Sequence, residues 1–439
     1  MHSTPVRAPT RTKPVARVAL ALALASGMVI GTSVATPAFA KDKKQDAKAE
    51  GNSKAFADAY APMQKIVNDP AGDLASAKAM IPTIQAAIQN PTDKNTFGQA
   101  LIALGGKLKD TSLQKQGVQL SLESGKAQPA QVGLFHFFLG QWAYEDKNFE
   151  EARNQLQAAI QAGYTDGDPA AIIAETYFGQ GQGAQGLQYL SDLIANRTAA
   201  GQQVPDTWYR RGLKVAYDSK LPAQADQYAA MLVEHYPTPT NWQAALQVVN
   251  ALGQFDADGQ LNLFRLMKET GSLKDKHDYL AYVDVLDPRK MSTEALSVLD
   301  QAVKSGAISA SDSGFQQAKS IADTRVASEK SLADSVAADA PKSTDPKVPL
   351  GAANLYFSTG AYDKAAEMYK MALDKGIPDK GLAQTELGIA QVKAGQLDLA
   401  KATLEQVTGP RAPVAKMWLA YIASKSAPPA PPAPPSPPA

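Results

Sequence analysis

Apolar residues along this chain fall at helical spacing, and small and large ones hold separate positions. In "NLYFSTGAYDKAAEMYKMALDKG", residues 354 to 376, Tyr356, Tyr362, Ala365, Tyr369 and Ala372 mark two short helices. A turn from Thr359 to Tyr362, containing Gly360, separates them. The following segment repeats the frame with Leu387-Gly388, Gly395, Leu397, Ala400, Leu404 and Val407, Ala400 lying thirty-five residues after Ala365. Small residues at fixed positions let two antiparallel helices approach closely, and large ones fill the holes between one hairpin and the next. A recurrence of that length predicts stacked units. Runs of β-branched residues are scarce, so helices are expected throughout.

Earlier copies keep the register. "FHFFLGQWAYEDKNFEEARNQLQAAIQAG" carries Leu139-Gly140, Phe149, Ala152, Leu156 and Ala159, and Tyr177, Gly181, Gly186, Leu190 and Leu193 come next. After the insertion "NRTAAGQQ" follow Trp208, Leu213, Ala225, Ala229, Leu232 and Pro237. Tyr279, Tyr282, Val283, Ala295, Leu299 and Ala302 form a further unit, with a degenerate copy before it at Trp242, Leu246, Gly259, Leu263 and Leu266. Gly125, Gly163, Gly306 and Gly376 each follow a second helix, where a left-handed residue ends it.

These residues resemble the tetratricopeptide repeat (TPR) family, whose unit is a helix-turn-helix of thirty-four residues. The resemblance implies an all-α, right-handed superhelical solenoid of stacked helix-turn-helix repeats. It divides the chain into a TPR-like solenoid at 53–325, degenerate at 53–125 and 238–271, a linker at 326–346 expected to be partly helical, and a C-terminal TPR pair at 347–425. Family members lay extended peptides or helices in a concave groove lined by the first helix of each hairpin. Carried over by register, the groove positions are Phe137, Gln141, Tyr144, Arg210, Lys214, Tyr217, Asn354 and Phe357. Ordinary packing between repeats is the competing reading of Phe137 and Tyr144. The lysine–asparagine clamp that some members use for a terminal carboxylate is not reproduced, because Glu386 stands where a second asparagine is expected.

Residues 1–40 read differently. Arg7, Arg11, Lys13 and Arg17 precede the apolar run "VALALALASGMVIGTSV", and "AFA" at residues 38 to 40 is a small-x-small cleavage site: the three parts of a secretory signal peptide. An uncleaved anchor is the rival, since the run is about long enough to reach across a membrane; Gly27, Gly31 and the cleavage site favour removal. Removing four basic residues turns 44 basic against 43 acidic into 40 against 43, a net charge near −3. No basic surplus is left for a general nucleic-acid binder. With no cysteine there is no disulfide, thiol catalysis or cysteine-held metal. Residues 41–52 are expected as a flexible mature N-terminus. The tail 426–439, "SAPPAPPAPPSPPA", has eight prolines and is expected to stay extended and solvated.

The remaining motifs dissolve on inspection. "GQGAQG" at Gly181 to Gly186 matches a dinucleotide-binding fingerprint, but a helix pattern rather than a strand precedes it. "QFDADGQLNLFR" resembles a calcium loop that lacks its first and twelfth ligands, Gln254 and Arg265 standing there. His136, His235 and His277 form no metal-ligand spacing and pair with no nucleophile. The expectation is therefore a periplasmic scaffold without catalytic, cofactor or metal site. It would bind a protein or peptide of the cell envelope, with no nucleic acid and no stable membrane insertion after cleavage. The alternatives are a structural protein associated with peptidoglycan and an enzyme with an unrecognised site.

Overall fold

The computed structural model describes residues 51–426. The signal peptide, most of the expected flexible N-terminus and the proline-rich tail beyond 426 lie outside the described residues. Within them the regular structure is helical, with no β-strand, and no helix is long and apolar enough to cross a membrane. Two compact units divide between Gly179 and Gln180.

The first unit holds α1 (Lys54–Asn68), α2 (Leu74–Ala79), α3 (Ile81–Ala86), α4 (Pro91–Leu108), α5 (Thr111–Glu123), α6 (Pro129–Glu145), α7 (Phe149–Gln161) and α8 (Pro169–Gly179). The first four enclose Phe56, Met63, Ile84, Phe97 and Leu101. Helices α4 and α5 form one hairpin and α6 and α7 the next, with α8 packed on α7.

The second unit holds α9 (Gly183–Ala199), α10 (Asp206–Asp218), α11 (Pro222–His235), α12 (Pro239–Gly253), α13 (Ala257–Glu269), α14 (Lys276–Leu286), α15 (Ser292–Lys304) and α16 (Ser313–Asp323). It continues with α17 (Val326–Asp339), α18 (Lys347–Ser358), α19 (Tyr362–Asp374), α20 (Lys380–Lys393), α21 (Leu397–Leu404) and α22 (Ala412–Ser426). Neighbours in sequence pack as hairpins, notably α10 with α11, α14 with α15, α18 with α19 and α20 with α21.

Small residues sit at the hairpin crossings. A Cβ on Gly140 would lie 2.6 Å from Leu156, one on Gly388 2.5 Å from Leu404, and one on Gly212 2.1 Å from Tyr228. The partner comes sixteen residues later each time, so the same turn brings the same pair of positions together. Ala152, Ala159, Ala365, Ala372 and Ala400 are fully buried. Gly125, Gly163, Gly306 and Gly376 all have positive φ, from 63° to 80°, as the helix-ending role requires.

Two features depart from a simple array. Residues 326–346, expected as a partly helical linker, contain α17, whose Ala333 is fully buried and which packs on α18. Glu329 of α17 accepts hydrogen bonds from the Thr293 amide and hydroxyl, each at 2.7 Å, fastening it to α15. The alanine and serine content that reads as linker supplies small residues for helix contact instead. The second departure is α22, which packs on α20 and α21 and also on α11, α12 and α13. The chain of the second unit thus closes on its own earlier helices.

Candidate functional site

The closure assembles a polar network in the second unit that runs from a half-exposed rim to a buried ion pair. Arg411, at the entrance to α22, donates to both carboxylate oxygens of Asp256, at 2.5 and 2.7 Å, and to Asp379 at 2.8 Å. Asp256 is also the N-cap of α13 and accepts from the Gly259 amide. The guanidinium holds the Asp256 carboxyl below its ordinary range. The false calcium loop is thereby explained: its aspartate caps a helix and binds an arginine. Farther along α22, the Trp418 indole donates to the Asn262 carbonyl at 3.1 Å, and Trp242 meets Tyr421 edge to face.

Arg265 occupies the centre. Its Nε and Nη2 donate to the two oxygens of Glu294, at 3.0 and 2.9 Å, and its Nη1 donates to Asn262. The guanidinium lies 3.9 Å over the Phe357 ring. Tyr282 donates to the same carboxylate at 2.8 Å. Burial opposes both charges of the pair, but Arg265 and Tyr282 hold the Glu294 carboxyl down, and Glu294 raises the guanidinium. The Tyr282 hydroxyl is pushed well above its usual value by burial and by the adjacent carboxylate. Breaking such a buried pair from one side costs about 3–5 kcal/mol, because it strands the other charge.

Beside this pair lies a cavity of about 220 Å³. Arg265, Lys268 and Glu269 of α13 line it, with Glu294 and Ser297 of α15, Phe357 of α18, Tyr362 of α19, Lys393 of α20 and Trp418 of α22. Lys393 is ion-paired with Glu269, and this bond raises its pKa against the effect of burial. Lys268 donates to the Ser297 hydroxyl at 2.9 Å, and burial lowers its pKa. Glu386 is buried on α20 with one carboxylate oxygen that has no hydrogen-bond partner among the described residues, and burial carries it to about 8.

The expected groove residues fall in both units, and those within the second unit do not form one surface. Phe137 is a correction: it is 4% exposed, packed against Phe138 and Tyr164, with its ring closed over Gly167. Tyr144 is half-buried against Phe149, and Gln141 is half-buried on the same helix. Phe357 is a second correction, at 5% exposed beneath Arg265. Asn354 accepts from the Tyr369 hydroxyl at 2.7 Å. Arg210, Lys214 and Tyr217 do share an exposed face of α10. Arg210 pairs with Asp206 at 3.0 Å and Lys214 with Asp218 at 2.7 Å. Helix α10 packs on α9, α11 and α12, whereas α18 packs on α15, α17 and α19, so these two groups belong to different neighbourhoods.

The other motifs resolve as helix geometry. Gly181 is a turn glycine with φ 74°, and Gly186 is buried in α9. His136 bonds Gln155, His235 stacks on Tyr209, and His277 is exposed. Arg265, Lys268, Lys393 and Trp418 escaped sequence reasoning as a group. The available signal was that the degenerate repeat, 238–271, places unusual residues on α13.

No protein-family model matches the chain, and no curated protein does. A search of solved structures returned "Structure of Naa15/Naa10 bound to HypK-THB", similar over 84% of this chain and 69% of that chain, at 12% identity and a TM-score of 0.30.

Proposed function

We propose that this chain is an exported scaffold of the TPR type that binds a protein or peptide partner of the cell envelope and performs no catalysis itself. Export rests on the basic, apolar and small-x-small succession in residues 1–40. The observation that carries the binding reading is the outer face of α10. Tyr217 is 47% exposed there, in line with Arg210 and Lys214. Among the described residues both cations are paired only within the helix, each with an aspartate four residues away. Such pairs are worth about 0.3–0.5 kcal/mol, so they exchange readily for carboxylates on a partner, while an exposed aromatic supplies the contact area typical of binding hot spots. The partner chemistry that fits is an acidic segment with an apolar residue to cover Tyr217.

The noncatalytic reading draws support from the two ion pairs beside the cavity. Arg265 and Glu294 are held in a bidentate pair, and Lys393 is tied to Glu269. Fixed pairs of this kind hold structure and position charge; they do not place a base against a nucleophile.

A photo-crosslinking amino acid at position 217, used in intact cells, tests the proposal. The expected result is a discrete adduct with an envelope protein, lost when Arg210 and Lys214 are both changed to Glu. Adduct yield unaffected by that double change would refute the α10 surface.

A further inference from the structure

The cavity at the centre of the second unit has a charge imbalance that specifies an occupant. Arg265 is ion-paired with Glu294 and Lys393 with Glu269, which leaves Lys268 as the one lining charge with no ion pair among the described residues; it feels the fields of Glu294 and Glu269, but both are already committed. Among the described residues only the Ser297 hydroxyl accepts from its ammonium, so further donors remain. The Tyr362 hydroxyl, on another wall of the cavity, has no hydrogen bond among the described residues.

A cation would find no welcome here. Both carboxylates are committed, Glu294 to Arg265 and Tyr282, and Glu269 to Lys393. One face of each aromatic ring already carries a cation, Phe357 under Arg265 at 3.9 Å and Tyr362 under Lys393 at 5.3 Å, so a further cation there would meet like charge. Thr293, which also lines the space, spends its amide and hydroxyl on Glu329. What remains unsatisfied is positive and hydrogen-bond donating.

We infer that this cavity binds a small organic monocarboxylate, its carboxylate meeting Lys268 and its body lying against Phe357 and Tyr362. One surplus charge selects a monoanion over a dianion, since a second negative charge would sit beside Glu294 and Glu269 without a counterpart. The volume of about 220 Å³ is below the roughly 300–1,000 Å³ usual for drug-sized ligands, so the occupant is small. Burial disfavours the Lys268 ammonium in the unoccupied cavity, and a carboxylate beside it relieves that penalty. Because α13, α15, α18, α19, α20 and α22 all contribute lining residues, an occupant would also bind across the closure of the unit.

Sodium benzoate is a suitable probe, titrated calorimetrically into the purified chain, with inorganic phosphate as the second arm. The expected outcome is saturable benzoate binding, weakened at least tenfold by Lys268→Met, with phosphate bound more weakly than benzoate. NMR of the unmutated protein gives a reading that does not depend on how the variant folds: ring signals of Phe357 and Tyr362 should move with benzoate. The inference is overturned if benzoate does not bind, if Lys268→Met binds it equally, if phosphate is preferred, or if the shifts map elsewhere.

Discussion

At the scale of single residues, Glu386 is the clearest consequence of closure. It is buried among Arg265, Asp258, Arg411, Asp379 and Tyr369, and burial outweighs the cations, carrying its carboxyl from 4.5 to about 8. The folded chain therefore binds this proton more tightly than the unfolded chain does. Its contribution to stability is fully present below pH 4.5 and is lost as pH rises through about 8. Glu386→Gln keeps the shape of the neutral acid and removes the titration. In urea unfolding at pH 5 and pH 9, the variant should gain on the parent by on the order of 4 kcal/mol at the higher pH. A difference that stays constant between the two would show that this carboxyl ionises freely in the fold.

At the scale of elements, two glycines in the C-terminal hairpins should respond in opposite directions. Gly388 faces Leu404, whose Cγ would lie 2.5 Å from an added methyl, while Gly351 of α18 faces open space. Gly388→Ala should cost roughly 1–3 kcal/mol through overpacking. Gly351→Ala should gain about 0.4–1 kcal/mol, because alanine has fewer unfolded conformations to lose. Urea unfolding of both variants checks the pair, and the same sign for both would contradict the crossing geometry. Gly388 and Leu404 were legible in the sequence because their relation is local and repeats. Phe357 was not. Its register correctly puts it on a first helix, but register is silent about what covers that helix, and here Arg265, some ninety residues earlier, lies on the ring. Likewise the Ala- and Ser-rich composition of α17 is shared by loose linkers and close-packed helices, and what distinguishes them are tertiary contacts: Glu329's bonds to Thr293, Asp334's to Tyr356 and the burial of Ala333.

At the largest scale, the departures from the repeat pattern and the closure of the second unit are one phenomenon. Gly259 stands where the repeat has alanine, and an added methyl there would come within 3.2 Å of the Arg411 guanidinium. Trp242 meets Tyr421, Asn262 receives Trp418, and Glu269 receives Lys393. A helix recruited to receive a distant partner cannot also keep the residues that serve its nearest neighbour, so degeneracy at 238–271 is the imprint of a long-range contact. In a one-dimensional stack each repeat touches only its neighbours, and damage stays local. Here it should not. Trp418 is fully buried, and Trp418→Ala should cost about 3–5 kcal/mol. Hydrogen exchange should then show lost protection in α11, α12 and α13 as well as in α20 and α21, although the first three lie some 150 to 200 residues earlier in the chain. Exchange confined to α20, α21 and α22 would mean that the C-terminal helix rests on the earlier helices without stabilising them, and the charged interior would then need another source of cohesion.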